Sequence, residues 1–484
     1  MTAAPASATP DGTASGGAPG ASAPATGGWT TVTGVLERLA VEAPRGANGR
    51  PTGAGAVTAW VRSTGGRVRI RSQAVTGVPT GSRVAVRLGA VTPDGRAVLA
   101  VTVAARSTAS AVPSTGAAAA PHTVTAVLAL PPGAQPDAMT PARLTAAITA
   151  GASRFWSQNS GGRITFAVTR TVGWVHLKHT CSDVWGLWDE ARQRAAFASG
   201  TRRHLLVYVP PAAGCPSGLG TVAPSVDAGG DVLVGGATAG LLAHELGHNL
   251  GLGHSDALTC TGAPDAVFVE QWPDTCTHDD YGDWYDVMGI SWDNLGTLST
   301  AHAYRLGLLG PGSVLAVNGP TRAALRPVSG GVGLRSLRVT DPDGAVYIVE
   351  YRPAAGADAW LGTAADWRGL RAGVLVRRID PQDPTRTLLL DPTPSPGGTG
   401  AAPGDWDRAL GVGQSLRTGS GRVTVRVESQ VAGAATVVID VDGVSPAVLL
   451  QPGGRLVNGS EVTIGEAPAA WAARAARQAV TVKP

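Results

Sequence analysis

A chain of 484 residues exceeds what one hydrophobic core usually supports, so two or three domains are expected, each with ample apolar material. The formal net charge of +4 is small for this length, only Lys178 and Lys483 are lysine among 39 basic residues, and no basic cluster is interleaved with aromatics, which argues against nucleic-acid binding. No apolar run reaches the ~18 residues that a membrane-spanning helix needs, so no transmembrane segment is expected.

Residues 1–28 are almost wholly Ala, Gly, Ser, Thr and Pro and read as a disordered low-complexity leader. They contain no basic region followed by an apolar core, so an export signal is expected to have been removed, with Met1 as an added start. From 29 to 107 short alternating runs recur at 57–61, 67–70 and 83–86, separated by turns such as Pro93-Asp94-Gly95, which predicts a small all-β domain with negligible helix. A linker rich in Ala, Ser and Pro covers 108–121. Residues 122–312 mix the two periods. Strands are expected at 123–130, 164–168 and 204–209, and helices at 140–156, with Pro141 in its first turn, and at 185–198.

Alternating strands return at 345–351, 373–376, 422–427 and 436–439, so 313–465 reads as a β-sandwich-like domain, followed by a tail, 466–484, with a short helix at 469–479. Asp341-Pro342-Asp343-Gly344 and Asp440-Val441-Asp442-Gly443 have the wording of calcium-loop fragments but lack the later glutamate, and a hairpin turn is expected at each. A structural calcium there, or in the acidic run 279–283, is the minor reading. Cys181, Cys215, Cys260 and Cys276 all fall within 122–312. Two disulfides in an oxidising compartment are expected rather than four thiols, paired Cys260 with Cys276, which closes a short loop, and Cys181 with Cys215.

The chemistry concentrates in 244–254. His244 and His248 are four apart, so on a helix both imidazoles reach one ion, and Glu245 is held beside it. Leu241, Leu242, Leu246 and Leu250 recur at the same helical spacing and would bury the other side. A catalytic zinc takes three protein ligands and leaves one position open. His254 supplies the third if the chain turns back, and Gly251 is the residue that can take a left-handed conformation there. Downstream comes Tyr285-Asp286-Val287-Met288-Gly289, in a chain with three methionines.

These residues resemble the extended zinc signature and methionine turn of the metzincin metallopeptidases. The Asp-Val-Met-Gly wording and the segment 298–307 most resemble the secreted gametolysin-like peptidases. The resemblance implies a multidomain α+β fold, in which a metzincin-like catalytic domain of mixed sheet plus helices is flanked by the N-terminal small β domain and the C-terminal β-sandwich-like domain. It implies one catalytic Zn2+ on His244, His248 and His254, with Glu245 as general base and acid to a zinc-activated water and Met288 as an apolar floor. The expected protein is thus a secreted, monomeric zinc endopeptidase acting on protein or peptide substrates. Segment 218–223 lies where that family has an edge strand able to pair with a substrate main chain; an ordinary surface hairpin is the other reading.

There are departures from the pattern. Ile290 stands where some metzincins have a zinc-assisting tyrosine, so Tyr281 or Tyr285 would have to serve. No cysteine precedes Cys181, which excludes a cysteine switch. The 29–107 domain is expected either to inhibit, through a carboxylate such as Asp94 reaching the zinc or through the linker lying on the edge strand, or to position substrate. The other histidines, His176, His179, His278 and His302, are expected to be ordinary surface or hydrogen-bonding residues. The alternative function is a non-catalytic extracellular binding or adhesion protein that retains a metallopeptidase fold.

Overall fold

Valine alternating with arginine or threonine is the period of a half-buried strand, and it shapes the N-terminal region as a barrel. The computed structural model describes residues 30–42, 56–93, 95–107, 120–330, 332–394 and 406–446. β1 (Thr30–Val41), β2 (Ala56–Ser63), β3 (Gly66–Ile70), β4 (Arg83–Thr92) and β5 (Gly95–Ala105) follow the order β2-β3-β5-β4-β1, and β1 closes the ring by pairing with β2 as well. Leu36, Ala59, Val61, Ile70, Val84 and Val86 fill the interior. β1 is long enough to serve two structures. Its first half pairs with β4 and its second with β2, while Arg38 to Val41 also pair with a strand outside the barrel.

That outside strand belongs to the next region, which contains β6 (His122–Leu130), α1 (Pro141–Ala147), α2 (Arg154–Ser160), β7 (Phe166–His176), α3 (Val184–Ala195), β8 (Arg203–Tyr208), β9 (Gly218–Val222), β10 (Gly230–Val234) and α4 (Ala239–His248). Thr140 caps α1 by accepting from the Arg143 amide, and a π-helical segment, Ile148–Ser153, carries the helix into α2. The helix therefore runs beyond the expected end at 156. β1-β9-β10-β8-β6-β7 continue the barrel strands into a single ten-stranded sheet. α1, α2 and α4 share one core with Trp156, Leu242, Leu246 and Met288, and α3 contributes Leu187 and Trp188 to a core that includes Leu205, Val207 and Leu233.

The rest of the chain adds β11 (Ser255–Cys260), β12 (Cys276–Asp279), α5 (Thr300–Arg305), β13 (Val314–Val317), β14 (Thr321–Leu325), β15 (Ser336–Thr340), β16 (Val346–Arg352), β17 (Gly373–Ile379), β18 (Thr387–Leu390), β19 (Ser415–Arg417), β20 (Val423–Val431) and β21 (Ala434–Val441). A seven-stranded sheet, β12-β11-β18-β17-β16-β15-β13, and a four-stranded sheet, β14-β21-β20-β19, enclose a core that includes Leu258, Val339, Val349, Val425 and Ile439. Cys181–Cys215 and Cys260–Cys276 form the two expected disulfides.

This corrects the expected fold class. The described residues are mostly β, 39% of them strand and 16% helix, with a closed five-stranded barrel, and they do not show a metzincin-like sheet-plus-helices domain flanked by β domains. One sheet crosses from the barrel into 122–234 through β1 and β9, and β11 pairs with β18, so the last sheet draws in residues that directly follow His254. The physical reason is that side-chain alternation marks a strand without naming its neighbour. Main-chain amides pair with whichever strand the fold brings alongside.

Both calcium-like segments are turns. The Asp341 amide donates to Ala345 and its carboxylate accepts from the Thr418 and Ser420 hydroxyls, while Asp442 pairs with Arg422. The 1–28 leader, Asp94, most of the 108–121 linker and the tail with its 469–479 helix lie outside the described residues.

A buried charge network ties the last sheet to the loop before Met288. Arg377 lies 2.6 Å from Asp283 and 2.8 Å from Glu350, and Arg352 lies 2.9 Å from Glu350 and 2.7 Å from Asp358, all fully buried. Burial pushes the Glu350 carboxyl up, but Arg377 and Arg352 outweigh it and bring it down to about 2. Glu350 therefore stabilises the fold fully above its unfolded value of ~4.3, and this contribution is lost as pH falls toward 2. Urea midpoints should decline through that window. Arg377→Met, which removes the cationic partner of buried Asp283 and leaves Glu350 with Arg352 alone, should cost ~3–5 kcal/mol at neutral pH in the same measurement.

Candidate metal centre

Thr238 caps α4 by accepting from the Leu241 amide, and the helix presents His244 and His248 on one face. It stops at His248. Gly251 has φ of 93°, the left-handed conformation expected of it, and the Gly251 and Leu252 amides donate back to the carbonyls of His248 and Gly247. The reversed chain brings His254 to the first two histidines. His254 is then held by the last sheet, since the Thr387 amide donates to its carbonyl and the Gly253 amide donates to Thr385.

Each imidazole on α4 is oriented by a main-chain carbonyl. Nδ1 of His244 donates to Val287 at 2.7 Å, and Nδ1 of His248 donates to Leu252 at 2.8 Å. With their Nδ1 protons hydrogen-bonded to these carbonyls, both rings in the neutral form carry a lone pair on Nε2, and these two nitrogens face each other at 3.1 Å. Facing lone pairs repel unless a cation or a proton lies between them. His254 Nε2 joins them, and its ring packs at a tilt against Tyr281, 4.2 Å centroid to centroid. Met288 is fully buried against Gly247 and Trp156, and its turn delivers the Val287 carbonyl to His244. The turn thus fixes a tautomer as well as forming an apolar floor.

A residue that carries no sequence motif completes the group. Glu42, directly after β1, puts Oε1 3.0 Å from His244 Nε2, 3.5 Å from His248 Nε2 and 3.2 Å from His254 Nε2. Glu42, His244, His248 and His254 are all buried and together can hold a metal ion. Three imidazole nitrogens and one carboxylate oxygen are the donor chemistry of a divalent transition-metal site, so the residues fit such an ion. Glu42 is separated from His244 by 202 positions, and only its place at the end of a strand marks it.

Glu245 lies beside the cluster without joining it. Both of its carboxylate oxygens are buried with no hydrogen-bond partner. They press on β9 so closely that a Cβ on Gly218 would sit 1.8 Å from Oε1, which is why that strand residue has no side chain. Burial and the Glu42 charge push the Glu245 carboxyl well above the usual range. Burial also works against charge on Glu42, but the charge on His244 and hydrogen bonds with the three histidines prevail and hold it well below that range. His248 is lowered to about 4, chiefly by burial.

The other expectations resolve individually. Tyr281 reaches the site and donates to the Val41 carbonyl at 3.2 Å, whereas Tyr285 donates to Arg371. His278 bonds to Asp256 and His302 to Asp286, while His176 and His179 are exposed. In the acidic run, Asp280 pairs with Arg386 and Asp283 with Arg377, so these carboxylates already have cationic partners. The segment expected as an exposed edge strand is internal: β9 pairs with β10 on one side and β1 on the other.

Among the described residues no helix is long and apolar enough to cross a membrane. A scan against protein-family models and a search of curated proteins find no match to this chain. Elemental analysis of the purified protein should give one divalent metal ion per chain, removed by chelation and reduced to background by His248→Ala while the far-ultraviolet circular dichroism stays native.

Proposed function

We propose that the chain is a secreted zinc endopeptidase, with His244, His248 and His254 holding the ion and Glu245 acting as general base and then general acid. The observation that carries this reading is the Glu245 carboxylate, buried beside three converging imidazoles with both oxygens unpartnered. A carboxylate kept there without a hydrogen bond costs stability, and a proton-transfer role accounts for it. Zinc bound to the histidines supplies Lewis acidity, which makes water nucleophilic near neutral pH and polarises a peptide carbonyl. Glu245 is placed to take the proton that the attacking water loses and to pass it to the departing amine. Val287 and Leu252 keep the Nε2 lone pairs of His244 and His248 pointed at one locus throughout. The Met288 turn and the ligand spacing support a metzincin-type active centre, and two disulfides are compatible with an oxidising compartment.

A second reading is favoured by one observation. Glu42 gives the site four protein donors, and a four-donor site is the arrangement of structural zinc in a binding protein. The two readings diverge at Glu245, which a structural site does not use. The zinc-loaded Glu42→Gln chain is expected to cut an unfolded protein at internal bonds. Adding Glu245→Ala should retain zinc and slow cleavage ~10²–10⁴-fold. Equal rates with and without Glu245, or release of single amino acids alone, would reject the endopeptidase.

A further inference from the structure

β9 is the strand of the ten-stranded sheet that lies against α4 at the metal cluster, where Gly218 and Gly220 meet Glu245 and His248. An extended peptide brought to those side chains would have to add its main chain to the free side of β9. That side is taken by β1. Arg38, Leu39, Ala40 and Val41 pair antiparallel with Val222, Thr221, Gly220 and Leu219, and the Glu42 amide adds one more bond, to the Gly218 carbonyl at 3.0 Å. The strand therefore enters the site as a peptide would and ends with a carboxylate among the three imidazoles.

The rest of the barrel holds β1 in that position. Buried Arg38 donates to Thr80 and to the Val75 carbonyl, both at 3.0 Å, and lies 3.8 Å from Asp383 across the interface. Gly77 donates to Gln382, and Trp60 meets Trp185 edge to face at 5.8 Å. Tyr281, packed against His254, donates to the Val41 carbonyl. Glu42 thus differs in kind from the histidines. They are set by α4 and the turn that follows, whereas it is delivered by a different part of the fold and stays only while β1 stays on β9.

We infer that the barrel is a built-in inhibitor: β1 occupies the edge of β9 that a peptide needs, Glu42 is the fourth ligand of the metal, and the chain with β1 seated is latent. The consequence for cleavage rests on the peptidase reading; the coordination does not. Activation would be ligand exchange: the main-chain hydrogen bonds between β1 and β9 give way, Glu42 leaves with β1 and water would take its place, with no covalent bond made or broken in the protein. The inhibitory carboxylate, for which the sequence offered a residue such as Asp94, is in this reading Glu42, which the closed barrel places at the end of the strand it shares with β9.

The test uses the full chain loaded with cobalt(II), whose visible spectrum reports coordination, and azide as a small competing ligand. The wild-type spectrum should be unchanged by azide at concentrations that saturate Glu42→Gln, and Glu42→Gln should show a shifted band that azide shifts again. With zinc, Glu42→Gln should cleave an unfolded protein at least ~10-fold faster than wild type, because β1 is then held to β9 without the carboxylate's bond to the metal and its release is less rare. Azide binding equally to wild type and Glu42→Gln would overturn the inference. The wild-type titration alone can overturn it, should the variant not fold: azide binding to folded, cobalt-loaded wild type at millimolar concentration shows an open site. If the spectra behave as expected and neither protein cleaves, the carboxylate cap stands and the peptidase reading falls. If both cleave equally and both bind azide, the cap falls and the peptidase reading stands.

Discussion

The organising constraint of this molecule is the repulsion between imidazole lone pairs brought within ~3 Å of one another in a buried interior. Two main-chain carbonyls, of Val287 and Leu252, impose it by taking the Nδ1 protons of His244 and His248. An arrangement of that kind is stable only when the nitrogens share positive charge, a proton or a metal ion, and the site could hold such an ion. The surrounding packing serves this requirement. Met288 fills the space under α4, Gly251 turns the chain, and β18 takes hold of the strand that starts just after His254.

Holding the third histidine from the last sheet has a mechanical consequence. His254 is placed by contacts to Thr385 and Thr387, and the loop leading to Met288 is anchored through Asp283 to Arg377 and Glu350. The site is therefore not the property of one segment. Buried ion pairs of this sort are costly to assemble and more costly to break singly, which makes the network a device for fixing one geometry rather than a reserve of stability.

The opposite side of the site depends on the barrel. A strand edge with unpaired amides has to be covered, and β1 covers that of β9. Glu42 follows from this pairing, because the strand that satisfies the edge also carries a carboxylate into the histidines. Satisfying a sheet edge and completing a cluster that could hold a metal ion are here one event.

The histidine spacing, the left-handed turn at Gly251 and the short Cys260–Cys276 loop were legible in the sequence because each depends on residues close along the chain, where helix period, steric freedom at glycine and loop length are local properties. Strands at 123–130 and 204–209 were legible for the same reason, as period-two patterns. Glu42 was not, since a single glutamate after a strand has no spacing to read and its meaning comes from histidines that begin 202 positions further along folding back on it. Nor was the fold class. Alternation in 29–107 and in 313–465 predicted strands but not that β1 would pair with β9 or β11 with β18, because main-chain hydrogen bonds are chemically alike and only the packed tertiary structure decides which edges meet.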